Sequence, residues 1–212
     1  MKVIDLSHTI AGDMPVFPGT PQPVLKPLLS IEEHGFGETM LQMMSHTGTH
    51  MDAPSHMIAG APGLDDFLAE KFFGPALIIN HLPSAGRSIE LEALRQEEDK
   101  IARAEFVLFC TGHSEKWGSA EYLGPFPLLT RAAAEFLTSF PLKGVGIDAI
   151  SFDELDATDS PIHRILLSAG FVLLENLANL RQAPAEGGLF AALPLKYKNA
   201  DGSPVRAVLI GV

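Results

Sequence analysis

Read for alternation and periodicity, the chain breaks into short apolar runs separated by turn residues. Val3 to Leu6 predicts a first strand, and Thr39 to Ser45, rich in Met and Leu, a second. Pro75 to Leu82 and Glu105 to Cys110 are apolar runs bounded by turn residues, which is how buried strands read. Val145 to Ile150, Phe171 to Glu175 and Val205 to Ile210 predict three more strands. Three other segments carry the spacing of a helix face. Ile89 to Gln96 has apolar residues at 89, 91 and 94. Leu129 to Phe140 presents Ala132, Ala133, Phe136, Leu137 and Phe140 on one face, and Pro141 ends it. The third helix opens at Ser160-Pro161, with Ser as N-cap and Pro at the first position, and Gly170 closes it.

Residues 11–27 hold five prolines, at 15, 18, 21, 23 and 27. Pro fixes φ and donates no backbone hydrogen bond, so this stretch is expected to be a stiff, irregular loop with edge-like extended pieces. No repeat, low-complexity tract or linker divides the chain, which predicts one domain over residues 1–212. Strands and helices alternate loosely, with strands in excess at both ends. The expected fold class is α/β, a compact single domain of mixed β-sheets packed with helices.

Composition narrows the function. Hydrophobic residues make up 46% and charged residues 19%, enough apolar material for a sizeable core and too much for a disordered chain. The net charge is −11 and no basic run is present, which excludes a nucleic-acid partner that needs clustered Lys and Arg. No apolar run approaches the ~20 residues that span a bilayer. The start, Met1-Lys2-Val3-Ile4-Asp5, lacks the apolar centre of a secretory signal, so a cytoplasmic protein beginning at Met1 is expected. The lone cysteine, Cys110, ends an apolar strand and reads as a core thiol.

The segment Ser45-His46-Thr47-Gly48-Thr49-His50-Met51-Asp52-Ala53-Pro54-Ser55-His56 carries the chemistry. Neutral imidazoles and a carboxylate are good ligands for Zn(II), Mn(II) and similar ions. In an extended strand His46 and His50 would stand ~13 Å apart, too far to share an ion. Four apart on a helical turn, they would approach to about 5–6 Å. Gly48 sits midway and tolerates a tight bend. The chain is therefore expected to leave a strand near Ser45, bend at Gly48 and fold both imidazoles toward one point. Asp52 follows, and Pro54 prevents regular continuation. A lone His is more often a surface residue; the clustering is what points to a metal or a proton-transfer role.

Two residues downstream join the candidates. Glu175 ends the run Phe171 to Leu174, where a partly buried carboxylate needs a partner. His163 lies in the first turn of the third helix, where the helix dipole gives no reason for a His. The turn at Gly170 can return Glu175 to His163. His8 is open between facing the site and a structural hydrogen bond, and Thr111-Gly112 is a candidate for touching the pocket. His34, His81 and His113 read as surface or turn residues, and Asp148 and Asp153 as turn and cap residues. Met40, Met43, Met44, Met51 and Met57 read as adaptable packing.

At these residues the sequence resembles the cyclase family of metal-dependent hydrolases, which includes bacterial kynurenine formamidase and isatin hydrolase. Residues 46–56 match the family signature His-x-Gly-Thr-His-x-Asp-x-Pro-x-His at every fixed position. Asp5-Leu6-Ser7-His8, Gly146-Ile147-Asp148 with Ser151 and Asp153, His163 through Glu175-Asn176-Leu177, and Asp201-Gly202-Ser203-Pro204-Val205-Arg206-Ala207 resemble its other blocks, so the resemblance covers nearly the whole chain.

The resemblance implies a compact α/β fold with packed sheets and a homo-oligomer, dimer or tetramer. It implies that His46, His50 and Asp52 bind one divalent metal, zinc before manganese. Asp52 would bridge to a second ion held by His163 and Glu175, and His56 would be the catalytic acid or base. It implies a small-molecule substrate: hydrolysis of an N-formyl aromatic amine, as in tryptophan catabolism. Opening of a cyclic amide, a lyase or cyclase reaction, and metal or ligand binding without turnover are the alternatives. Phe17 stands in the proline-rich loop where kynurenine formamidases carry a Trp that packs on the substrate, and Phe can also stack on a ring.

Overall fold

A computed structural model describes residues 2–82 and 86–211; Met1, read above as the chain's start, lies outside them. The elements run β1 (Val3–Asp5), β2 (Val24–Leu29), α1 (Ile31–His34), β3 (Glu38–Gln42), β4 (His50–Asp52) and β5 (Phe73–Asn80). Then come β6 (Ser88–Ile89), α2 (Leu91–Arg95), α3 (Glu98–Ile101), β7 (Phe106–Cys110), β8 (Leu128–Leu129) and α4 (Arg131–Leu137). The last are β9 (Gly144–Ile147), α5 (Pro161–Ser168), β10 (Val172–Glu175), β11 (Gly188–Pro194) and β12 (Gly202–Ile210).

Eight strands form one mixed sheet in the order β1-β12-β11-β5-β7-β9-β10-β4. Strands β5, β7, β9 and β10 run parallel, and the others join antiparallel. Strand β4 also pairs with β12, which closes the sheet on itself. Successive side chains point to opposite faces of a strand, and here both faces are covered. Phe106, Leu108, Val172 and Leu174 fill the interior cluster with Phe190 and Leu209. Val107, Phe109, Val145 and Leu173 face the other way and pack with residues of α4 and α5, such as Leu137 and Leu166. Burial on both faces is why these strands are continuous apolar runs. Gly144 and Gly146 belong to this packing, since a Cβ there would strike Val172 or Leu108.

The fold class agrees with the expectation, and several elements differ in extent. The second predicted strand ends at Gln42, not Ser45, and belongs to a separate two-stranded hairpin with β2. Pro27 lies inside β2 next to a register shift, a bulge-like position that Pro tolerates on an edge. The first predicted helix is split, because Ser88–Ile89 pairs with Leu128–Leu129 and only Leu91–Arg95 is helical. The second helix starts at Arg131, with the Thr130 side chain accepting from the Ala133 N–H. The third occupies Pro161–Ser168, but Ser160 does not cap it with its side chain and instead adopts φ 43°. The Asp153 carboxylate takes the Ile162 and His163 N–H groups at 2.9 and 3.0 Å. A longer side chain reaching in from the preceding loop does the capping there.

Candidate metal centre

The signature segment folds in an unforeseen way. Gly48 does bend the chain, at φ +65°. Beyond the bend the chain forms strand β4, an element not expected there. Period-two alternation puts His50 and Asp52 on one face of β4, while Met51 goes to the core. The bend at Gly48 brings His46 back over them, with the His46 and His50 rings 5.2 Å apart. Asp52 Oδ1 lies 2.6 Å from His46 Nδ1 and 3.3 Å from His50 Nε2.

The other side of the centre comes from α5 and β10. The turn at Gly170, φ +80°, reverses the chain so that β10 pairs with β4 and sets Glu175 opposite His50. His163 Nε2 then meets Glu175 Oε1 at 3.0 Å and lies 3.8 Å from Asp52 Oδ2. His50 Nε2 is 3.4 Å from Glu175 Oε2. Asp52 therefore sits between two donor sets. The ligand atoms of His46, His50 and Asp52 lie within 4.8 Å of one another, as do those of Asp52, His163 and Glu175. His50, Asp52, His163 and Glu175 are all buried, and His46 is half-buried.

Electrostatics reinforce this. Burial acts to lower the His50 pKa, but hydrogen bonds and charge from Asp52 and Glu175 outweigh it and push it up to about 10. For His163 burial again opposes, and Asp153 and Glu175 push it up to about 10. Burial would raise Asp52, yet His46 and His50 hold it well below the carboxylate range. Two buried carboxylates thus draw positive charge into a site lined by imidazoles, which is the environment a divalent cation needs.

His56 stands apart from both sets of three. Its ring lies 4.0 Å from that of His46, on the rim of the site, and burial lowers its pKa. The centre opens into a cavity of about 420 Å³ whose apolar wall includes Pro15, Val16, Phe17, Met57, Ile150 and Leu155. Phe17 is 41% exposed on this wall.

Several other candidates lie elsewhere. His8 stacks on Trp117 at 4.0 Å and lines a different surface pocket. His81 and His113, read as surface or turn residues, are buried and face the Gly86 and Tyr122 carbonyls. The Thr111 and Gly112 N–H groups bind the Asp148 carboxylate, and neither residue lines the cavity. Cys110 is fully buried with its thiol pushed up to about 12, an unreactive core group. Asn176 and Asp201 were not singled out from the sequence, and both touch the centre. Asn176 Nδ2 donates to the Gly48 carbonyl at 2.8 Å, and Asp201 Oδ2 lies 3.2 Å from His46 Nε2. The only prior signal for either was its place in a block resembling the family.

The sequence model of the Cyclase family matches residues 4–154. The chain belongs to the Cyclase family. A protein named kynurenine formamidase from Salinibacter ruber is 35% identical over 216 residues, covering 99% of this chain and 97% of its own. The solved isatin hydrolase A from Labrenzia aggregata superposes with a TM-score of 0.89 at 30% identity, covering 98% of this chain and 93% of that one. A structure titled a "predicted metal-dependent hydrolase" from Bacillus stearothermophilus superposes at 0.79 with 29% identity, covering 98% and 97%. In this Cyclase-family chain the bend at Gly48, strand β4 and helix α5 bring together the residues that could hold a metal ion. Among the described residues no helix is long and apolar enough to cross a membrane.

Proposed function

We propose that the chain is a metal-dependent hydrolase that cleaves the C–N bond of a small amide, an N-formyl aromatic amine before others. The observation that carries this reading is the pair of donor sets sharing Asp52 at the floor of an apolar cavity. His46, His50 and Asp52 would hold one cation; Asp52, His163 and Glu175 would hold a second. Zinc is the proposed ion, with manganese as the alternative for the same ligands. Such a cation supplies a Lewis acid that acidifies water and polarises a carbonyl oxygen.

The protein's own groups do the rest. The cavity walls exclude bulk water from the amide, and Phe17 offers a ring face to an aryl group. The half-buried His56 imidazole, beside the ligand His46, takes a proton from the attacking water. It then delivers that proton to the departing nitrogen, releasing formate and an amine. A water and an amide bond are consumed, and no redox partner is needed.

A second reading is opening of a cyclic amide, favoured by the superposition on isatin hydrolase A. A panel of N-formyl aromatic amines, cyclic amides and lactones, assayed with metal analysis, separates the two. Turnover of none of them by zinc-loaded protein would overturn the hydrolase reading.

We further propose one domain over residues 1–212, a cytoplasmic location and a homo-oligomer. The β2–β3 hairpin supports the last: among the described residues it pairs with no other strand, and Leu25, Leu28, Ile31, Phe36 and Leu41 are all at least 40% exposed along it.

A further inference from the structure

Each of the three ligand-type imidazoles turns one nitrogen toward the carboxylates and has the other propped from behind. His50 Nδ1 meets the Gly48 carbonyl at 2.8 Å. His163 Nδ1 meets Asp153 Oδ2 at 2.7 Å. His46 Nε2 meets Asp201 Oδ2 at 3.2 Å, with its Nδ1 turned to Asp52 at 2.6 Å. Carbonyls and ionised carboxylates only accept hydrogen bonds. Each outer nitrogen therefore carries a proton, and with a cation between the imidazoles and the carboxylates each inner one would turn its lone pair to the ion.

The three props are not equal. Asp153 is 4% exposed and also capped onto α5. The Gly48 carbonyl is gripped by Asn176, whose own Oδ1 accepts from the buried Tyr122 hydroxyl at 2.6 Å. The Asp201 side chain, by contrast, is 47% exposed. It is braced by the Ser45 and Tyr197 hydroxyls, both at 3.3 Å. The bare backbone of the next residue completes the seat, because a Cβ on Gly202 would collide with the His46 ring.

We propose that Asp201 is the positioning residue for His46. By accepting the Nε2 proton it fixes the tautomer that aims Nδ1 at the cation shared with His50 and Asp52. Because this prop is exposed while the other two are buried, the cation held through His46 is the more readily exchanged of the two. The inference rests on the two-cation reading above. It competes with direct ligation by Asp201, since the donor atoms of His46, His56 and Asp201 also lie within 4.8 Å of one another.

The test loads the wild-type chain, Asp201→Asn and Asp201→Ala with cobalt(II) and follows the absorption spectrum during titration with a chelator. Asp201→Ala should weaken the more exchangeable cobalt by about 10–100-fold, the usual cost of losing an outer hydrogen-bond partner, and leave the tighter one unchanged. Asp201→Asn keeps an acceptor oxygen and should stay close to wild type. Tyr197→Phe, which removes the brace on Asp201 together with the hydroxyl's bond to the Gly202 carbonyl, should give a smaller loss in the same direction and serves if Asp201→Ala does not fold. Wild-type affinity at both positions in Asp201→Ala, or in Tyr197→Phe where that variant serves in its place, would overturn the proposal. Equal losses in Asp201→Asn and Asp201→Ala would overturn it in favour of direct ligation. Failure of the wild type to bind cobalt would instead overturn the metal reading on which it stands.

Discussion

His163 and Glu175 are twelve residues apart in the chain and 3.0 Å apart in space, joined by a helix, a glycine turn and a strand. That hairpin builds half of the centre, and Asp52 links it to the other half. Replacing Asp52 should therefore affect both donor sets together. Asp52→Ala is expected to lose both cations, whereas His46→Ala should lose only one. Elemental analysis after gel filtration checks this; loss of a single ion from Asp52→Ala would show that the carboxylate is not shared.

His56 contacts the His46 ring but belongs to neither set of three around Asp52. His56→Ala is expected to retain its metal and lose about 10²–10⁴-fold in turnover, the range for a proton-transfer group. Parallel loss of metal and turnover would make His56 a ligand.

The pH dependence of stability should change sign with metal. In the metal-free chain His50 and His163 are pushed up to about 10 from 6.5 by Asp52, Asp153 and Glu175. A raised folded pKa gives stability that is fully present below 6.5 and lost as pH climbs through 10. Melting temperatures of chelator-treated protein should thus fall across that window. Coordination needs neutral imidazole, so zinc-loaded protein should gain stability as pH rises through the lower part of the same window. Metal-free melts that do not change there would contradict the carboxylate–imidazole contacts.

Phe17 is 41% exposed on the cavity wall, free to meet a ring. An aromatic pair contributes about 0.5–1.5 kcal/mol beyond buried area. Phe17→Ala should raise KM for an aryl substrate by roughly two- to tenfold at this energy, with kcat little changed. Phe17→Trp should keep KM low. An unchanged KM in Phe17→Ala would remove the residue from substrate binding.

The β2–β3 hairpin should be covered by a second copy of the chain. An isolated two-stranded hairpin is marginal in water, and this one leaves Ile31 70% and Leu41 57% exposed. Light scattering should give at least a dimer, and Leu25→Glu with Leu41→Glu should shift it toward monomer. A monomeric wild type at micromolar concentration would refute the interface.

The parts of this molecule that sequence made legible are those ruled by local physics. The parallel strands β5, β7, β9 and β10 are buried on both faces and stand out as apolar runs. Gly48 and Gly170 announced reversals because only glycine adopts their positive φ cheaply. The strand at His50–Asp52 was missed because it is only three residues long, too short for its alternation to stand out. Strand β11 was missed as well, with two prolines and a run of small residues in its surroundings. Asp201 lies 155 positions from His46, and no spacing rule reaches across that distance. Asp153 was legible as a turn or cap residue, but not as the cap of α5, because it reaches in from a loop past the Ser that a local rule selects.

Strand β4 is three residues long, and it is the stave that joins β10 to β12 and completes the ring of strands. Its partners lie more than a hundred positions away, at Leu173 and Gly202 opposite Asp52. Contacts of such reach are slow to form, because loop-closure entropy is spent before they reward it. During refolding the catalytic floor should thus be among the last things assembled. Recovery of turnover should lag behind recovery of helical and strand signal, and partly folded chains should be inert, not feebly active.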